Sequence, residues 1–528
     1  MKIRASGSPG IQPVALRLAT GNAAFLFLLT LCLARLWLMP LSSSFWVDEM
    51  VTVFVVRHGP GHPSLAAAPQ VPASIYYLLP GAAEALLGFS ETTYRLPSIL
   101  LMGAALFLVA RLAARLIHPQ AGWFAVFACL ALRGINYEAA DARPYALGSC
   151  VAGASLWFLI RWLDSARWRD ALLFVVFAAL LWRVHLIFWP FYLVIAAYTL
   201  VRLARRETRV GYLRAGAIFT LLGIALLPVL VQALGLLRDA KAHVIVPPPS
   251  LGALTHALQW RLVMVCGAGA WLLRRLFRWQ PDPAPPSWAS RTLILCWWLC
   301  HPLCLFGFSW LTGNSVFVPR YLSLALPGAA LAATALAARS IPATQWRPLA
   351  ALLAAGVLLA LGQWRNPWPP HHNSDWRAAA RQIRELPLAA GTPVICPSPF
   401  IEATPPAWRP DYSLPGFLYA HLPVYPIPGR AYLFPFETSR EAEQYAARLS
   451  QETLSGSGRF VLYGGDHNVL LWRSWFARRP ELAGWHSRRL GPFGDVEVVV
   501  FEKGLGATGD SLSRPHSGRP RQSLGCGS

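Results

Sequence analysis

The sequence predicts a polytopic α-helical membrane protein that ends in a small α/β domain. Three observations carry that reading. Of the 528 residues, 55% are hydrophobic and 14% charged, whereas a soluble domain carries about 25% charged residues. Apolar runs of the roughly 20 residues needed to cross a bilayer recur from residue 21 to residue 364. From residue 365 onward acids and bases come near balance and the apolar runs shorten. The mean hydropathy, +0.41, agrees. A net charge of +22 could suit nucleic acid. The basic residues instead fall in short segments between apolar runs, as topology signals do, so the partner they indicate is a membrane and not nucleic acid.

Residues 1–20, with Lys2, Arg4 and Arg17, read as a cytoplasmic tail without a cleavable signal pattern. Helix 1 covers 21–41. A long outer loop, 42–94, holds Asp48 and Glu49, a Pro/Gly-rich segment over 59–72, and an apolar stretch over 75–89 suited to lying along the interface. Helices 2, 3 and 4 follow at 96–117, 121–135 and 145–163. The stretch 171–203 is too long for one span and is expected to form a hairpin turning at 183–185. Further spans fall at 215–236, 251–273, 293–311, 321–338 and 349–364, giving about 11 transmembrane helices. Counting the hairpin as two helices places every arginine-rich connection on one side. Asp48, Glu49, Glu138, Asp141 and Asp239 then fall on the other side. Counting one helix would move Arg274 and Arg275 outside, against the positive-inside tendency. The acidic loops and the whole C-terminal region are therefore expected on the outer face.

The membrane half, 21–364, is followed by an extracytoplasmic α/β domain at 365–503. Strands are expected at 392–396, 459–463 and 496–501, and helices at 375–385 and 437–449. Residues 504–528, rich in Gly, Ser and Arg, read as a disordered tail. Among the nine cysteines, Cys296, Cys300 and Cys304 recur every four residues. They share a helix face without a CxxC or a histidine cradle, which favours helix packing over metal or redox chemistry.

Phe45-Trp46-Val47-Asp48-Glu49 puts two adjacent carboxylates at a bilayer boundary in a half where acids are scarce. Such groups are costly to desolvate and mark candidate function. With the motifs that follow, the chain resembles the polytopic glycosyltransferases of the GT-C fold. The nearest groups are bacterial relatives of protein O-mannosyltransferases and of the lipid A aminoarabinose transferase. Trp46-Val47-Asp48-Glu49 is similar to the first-loop acidic motif. Tyr76-Tyr77-Leu78-Leu79 and Tyr94-Arg95-Leu96-Pro97-Ser98 resemble the stretch entering helix 2, although relatives commonly show Pro-Pro where this chain has Ala73-Ser74. Asp141-Ala142-Arg143-Pro144-Tyr145 resembles the second-loop motif, usually written with Glu. Val184-His185, Pro319-Arg320-Tyr321-Leu322 and Asp375-Trp376-Arg377-Ala378-Ala379 complete the series in order.

The resemblance implies transfer of a sugar from a polyprenyl-phosphate-linked donor to an acceptor hydroxyl, on a lipid, glycan or protein, at the outer face of a bacterial plasma membrane. In that reading Asp48 or Glu49 takes the proton from the attacking oxygen. Arg143 and Arg320 hold the leaving phosphate with the fork that lysine lacks. Tyr145, Tyr321 and His185 complete the phosphate site. The chain offers no obvious nucleophile for a covalent intermediate, so direct displacement would invert the anomeric centre. Asp48, Asp141 and His185, with Glu138, are oxygen and nitrogen ligands suited to a divalent metal, although their spacing is not diagnostic. Blander roles stand beside these. Arginines can snorkel to headgroups, tyrosines can belong to an interfacial belt, His185 can be a polar helix end, and Glu49 can cap a helix while Asp48 does the chemistry. Asp375 reads as a helix start. Competing functions are a glycan ligase of the same fold, a transporter or flippase of lipid-linked sugars, and a non-catalytic receptor. A transporter is disfavoured because the acids sit in outer loops and no repeat is visible.

Overall fold

A computed structural model of the chain describes residues 12–71, 74–239, 247–280, 286–313, 315–405, 407–410 and 416–504. The expected tail at 504–528 lies outside the described residues apart from its first member. Much of the loop at 238–250 and most of the N-terminal tail lie outside them too.

The first helix, α1 (Gln12–Leu33), continues through a wider π turn and then a tighter 3₁₀ turn that ends at Ser42. Two helices, α2 (Val47–His58) and α3 (Leu78–Leu87), then precede the second long span, α4 (Glu91–Leu116). Ser90 caps α4 by accepting the Thr93 N–H at 3.0 Å. The bundle continues with α5 (Gly122–Leu130), α6 (Arg133–Ala139), α7 (Tyr145–Ser165), α8 (Trp168–Val184), α9 (Phe191–Ala204) and α10 (Tyr212–Asp239). It closes with α11 (Leu251–Ala257), α12 (Trp260–Phe277), α13 (Trp288–Thr312), α14 (Leu326–Ala337) and α15 (Trp346–Leu361). Among the described residues, eight helical segments are long and apolar enough to cross a membrane. The shorter helices α5 and α8 pack against them. Small residues let the helices close up. A Cβ on Gly328 of α14 would sit 2.6 Å from the Trp297 carbonyl carbon, so glycine is what permits that approach.

The two ends of the bundle differ. At one end Arg115, Arg161 and Arg202 pair with Asp164 and Asp170 at 2.6–3.0 Å. At the other end Arg95, Arg143 and His185 gather near α2. The 171–203 stretch is the hairpin, with α8 and α9 joined at 185–190. Several spans break where one helix was expected. Residues 121–135 divide into α5 and α6, 251–273 into α11 and α12, and residues 319–325 form a 3₁₀ turn ahead of α14. Hydropathy registers the apolar content of such runs but not the hydrogen-bond breaks inside them.

The C-terminal part contains α16 (Trp376–Glu385), β1 (Pro393–Pro397), α17 (His421–Val424), β2 (Arg430–Phe434), α18 (Arg440–Leu449), β3 (Arg459–Gly465), α19 (Asp466–Phe476), β4 (Trp485–Phe493) and β5 (Val496–Lys503). The sheet runs β2-β1-β3-β5-β4, parallel on one side of β3 and antiparallel on the other. Strands β1, β3 and β5 match the sequence reading. The edge strands β2 and β4 and helix α19 were not foreseen; the two edge strands bury little of their surface. Asp375 caps α16 by accepting the Ala378 N–H at 3.0 Å, so it is a helix start.

The buried core of this part does not stop at residue 365. Phe45, Met50, Val51, Val53 and Phe54 belong to the same apolar cluster as Trp376, Phe417 and the strands. Helix α2 is thus a component of the core of the C-terminal part. Polar ties reinforce the seam. The Tyr425 hydroxyl accepts the Phe45 N–H at 2.8 Å and donates to Glu91 at 2.9 Å. Arg377 donates to Glu91 at 3.1 Å and to the Ser42 carbonyl at 2.6 Å. The stretch 75–89 leaves Leu78, Leu86 and Leu87 exposed, the pattern of a helix lying at an interface. Phe54→Ala is expected to cost about 3–5 kcal/mol, by analogy with other buried Phe truncations. Thermal unfolding in detergent, with limited proteolysis of the seam, checks this; an unshifted midpoint contradicts a shared core.

Candidate active site

The turn that opens α2 sets adjacent residues, Asp48 and Glu49, in two different environments. Glu49 is fully buried, and so is Arg95 from the first turns of α4. The Arg95 fork donates to Glu49 from Nε at 2.7 Å and from Nη2 at 2.5 Å. The Trp46 N–H, at 3.2 Å, and the Ala142 N–H, at 2.9 Å, fill the remaining acceptor sites of Glu49. Arg95 in turn donates to the carbonyls of Leu41, Ser43 and Ser44 at 2.8–3.1 Å. One ion pair therefore ties the first loop, α4 and the second loop together. The carboxylate of Glu49 has no face left for a substrate.

Asp48 turns to the other side. It lines a cavity of about 130 Å³ together with Tyr77, Arg143, His185, Arg320 and Tyr321. Phe400, Glu402 and Phe417 of the C-terminal part also line it. The Asp48 Oδ2 lies 3.4 Å from Arg320 Nη2 and 3.8 Å from Arg143 Nη2. Arg143 also donates to the Asp48 carbonyl at 3.0 Å. Asp48 Oδ2, Arg143 Nε, Arg320 Nε and the Tyr145 hydroxyl are all buried without a hydrogen-bond partner. Native structures satisfy most such atoms, so this group holds hydrogen-bonding capacity that no protein group fills. Tyr145, His185 and Tyr321 pack ring against ring at 5.3–6.3 Å and form an aromatic wall beside the arginines. The Arg320 guanidinium lies over the rings of Trp46 and Tyr321, at 5.7 and 5.5 Å, which fixes its direction.

Asp141 belongs to a neighbouring group. Its Oδ1 accepts from Trp46 Nε1 at 3.0 Å and lies 3.7 Å from His371 Nε2. Burial raises its carboxyl to about 6, against the Trp46 hydrogen bond and the positive Arg143. Burial, then the nearby Asp141, raises Glu138 well above the usual carboxylate range. His371 is pushed down to about 3, chiefly by burial, and His372 well below its ordinary value for the same reason. His372 stacks on Trp46 at 4.4 Å and shares a hydrogen bond of 2.9 Å with the Tyr137 hydroxyl. Among the described residues, the set of potential metal ligands drawn together is Asp141, His371 and His372. It is not the Asp48, Asp141, His185 set expected from the sequence. Asp48 is instead engaged by the two arginines, and His185 sits in the aromatic wall. Sequence reasoning passed over His371 and His372. The signal was there, as paired histidines after Pro369-Pro370 where the chain leaves its last span.

No protein-family profile matches the chain, and no curated protein matches its sequence. Its structure matches the crystal structure of ArnT from Cupriavidus metallidurans in the apo state, with a TM-score of 0.56 and 14% identity over 92% of this chain and 98% of that one. The chain has the GT-C fold. The same ArnT bound to undecaprenyl phosphate gives a TM-score of 0.48 at 14% identity, over 94% of this chain and 100% of that one. On this GT-C scaffold the motifs quoted from the sequence converge. Asp48, Arg143, His185, Arg320 and Tyr321 line one cavity, Tyr145 adjoins it, and Glu49 locks the loops beneath it.

Removing one partner of the buried pair strands the other charge. Arg95→Met is expected to cost about 3–5 kcal/mol, and the double variant Arg95→Met with Glu49→Leu less than that single change. Thermal midpoints of the purified variants check the order. A double variant no more stable than Arg95→Met alone goes against it.

Proposed function

We propose that the chain transfers a sugar from a polyprenyl-phosphate-linked donor to an acceptor hydroxyl, with inversion, on the outer face of a bacterial plasma membrane. The observation that carries this is the Asp48 carboxylate held 3.4–3.8 Å from two guanidinium groups at a cavity, all three with unsatisfied buried atoms. A carboxylate is a sufficient base for a hydroxyl that becomes acidic as it attacks. Two arginines are the residues best shaped to take the charge that builds on a departing phosphate. The chemistry balances as one displacement. The acceptor oxygen bonds to the anomeric carbon as the bond from that carbon to the phosphate oxygen breaks. The proton passes to Asp48, and the electron pair stays on the lipid phosphate between Arg143 and Arg320.

Without donor, Asp48 and the arginines neutralise each other. A donor phosphate competes for the same guanidinium groups. Their withdrawal from Asp48 leaves its carboxylate free to take the acceptor's proton, so the base is readied by the substrate that needs it. Tyr145 and Tyr321 supply hydroxyl donors beside the phosphate, and His185 packs against both rings. Glu49 is a positioning residue in this reading. It holds the turn carrying Asp48 against Ala142, the neighbour of Arg143. The acids lie at helix ends and loops and not at mid-helix, which disfavours transport.

Deleting the gene in its host is expected to remove one glycosyl mass from an envelope component, read by mass spectrometry of envelope lipids and glycans. The unaltered gene restores that mass. Asp48→Asn does not, although the variant inserts at the normal level. An unchanged envelope, or full restoration by Asp48→Asn, overturns the proposal. Arg143→Lys and Arg320→Lys keep the charge but lose the fork, and each is expected to slow transfer roughly 10²-fold. Initial rates in membrane vesicles check this, and rates within twofold of the parent contradict the assigned role.

A further inference from the structure

We propose that Asp141, His371 and His372 form a zinc-class metal site that clamps the second outer loop to the segment where the chain leaves the membrane. The ligand atoms of the three lie within 4.8 Å of one another. Asp141 Oδ1 and His371 Nε2 are 3.7 Å apart, too far for a hydrogen bond. Two ligands of one four-coordinate ion stand about 3.3 Å apart when each bond is about 2.0–2.1 Å. The cluster is thus near ligand spacing, and a modest side-chain movement closes it. Asp141 Oδ2 and His371 Nε2 are buried and have no hydrogen-bond partner. A cation shared between these neighbouring side chains satisfies both, and it accounts for why a carboxylate and two imidazoles are kept together away from water.

The donor set selects the ion. Two imidazoles and one carboxylate suit zinc and its first-row neighbours, whereas magnesium and calcium take oxygen ligands. Outer contacts already orient the ligands. Trp46 Nε1 donates to Asp141 at 3.0 Å, the His371 N–H donates to Ser43 Oγ at 3.1 Å, and the Tyr137 hydroxyl engages His372. Three protein ligands leave one position for water. The role assigned is structural. Asp48, Arg143 and Arg320 are outside the ligand set, and the ion would hold Trp46 two residues ahead of Asp48. The site stands independently of the transfer reaction, so failure of either leaves the other intact.

The full chain, purified in detergent without a polyhistidine tag, is expected to carry about one zinc ion by elemental mass spectrometry. Chelator is expected to lower the thermal midpoint and Zn²⁺ to restore it. Replacement by Co²⁺ is expected to give the visible absorption bands of a four-coordinate nitrogen and oxygen site. His371→Ala combined with His372→Ala is expected to lower zinc content at least about tenfold. Protein that is metal-free as purified, shows no thermal shift with Zn²⁺ and gives no cobalt bands overturns the proposal. Undiminished zinc in the histidine variant does the same. Should that variant fail to fold, the cobalt spectrum of the parent decides alone: bands support the site, and their absence rejects it.

Discussion

The buried pair between Glu49 and Arg95 is the constraint on which the rest of the candidate site depends. Two charges removed from water are tolerable when each is met by opposite charge and by hydrogen bonds on every remaining side. Both conditions hold here. Glu49 receives four donors, two from Arg95 and one each from the Trp46 and Ala142 backbones. Arg95 spends its other hydrogens on the turn that ends the first span. That network leaves the first turn of α2 little freedom. With Glu49 pinned inward, the residue before it must face another direction, and Asp48 faces the cavity. The chemistry proposed for Asp48 rests on a neighbour with no chemistry of its own.

The second constraint is the seam. Helix α2 shares its apolar core with the sheet of the C-terminal part, while α7 and most of α4 belong to the core of the helical bundle. The cavity is lined from both parts, by Arg143 and Arg320 and by Phe400, Glu402 and Phe417. Arg377, Tyr425 and Glu91 tie the two parts together by hydrogen bonds, and Asp141, His371 and His372 bring the second loop beside the segment that follows the last span.

Much of this was legible in the sequence where a local signal existed. Apolar runs and arginine placement gave the bundle and its two ends, and the ambiguous 171–203 stretch resolved as the hairpin that charge parity required. The motif residues Asp48, Arg143, His185, Arg320 and Tyr321 were read as candidates and line one cavity. What escaped was set by partners distant in sequence. Nothing near Glu49 reveals that Arg95 will fill its carboxylate. Nothing near Asp141 reveals that histidines more than two hundred residues later will approach it. The edge strands β2 and β4 carry little burial of their own and are fixed as strands by their pairing with β1 and β5.

The central claim is that Asp48 and a lipid phosphate compete for the same two arginines. Equilibrium binding of a short polyprenyl phosphate to the purified protein, followed by the quenching of intrinsic tryptophan fluorescence, addresses it directly. The account predicts weaker binding when Arg143 and Arg320 are both changed to Ala, and binding as tight as the parent or tighter for Asp48→Asn, whose lost charge frees the guanidinium groups. Binding weakened as much by Asp48→Asn as by the loss of both arginines would contradict it.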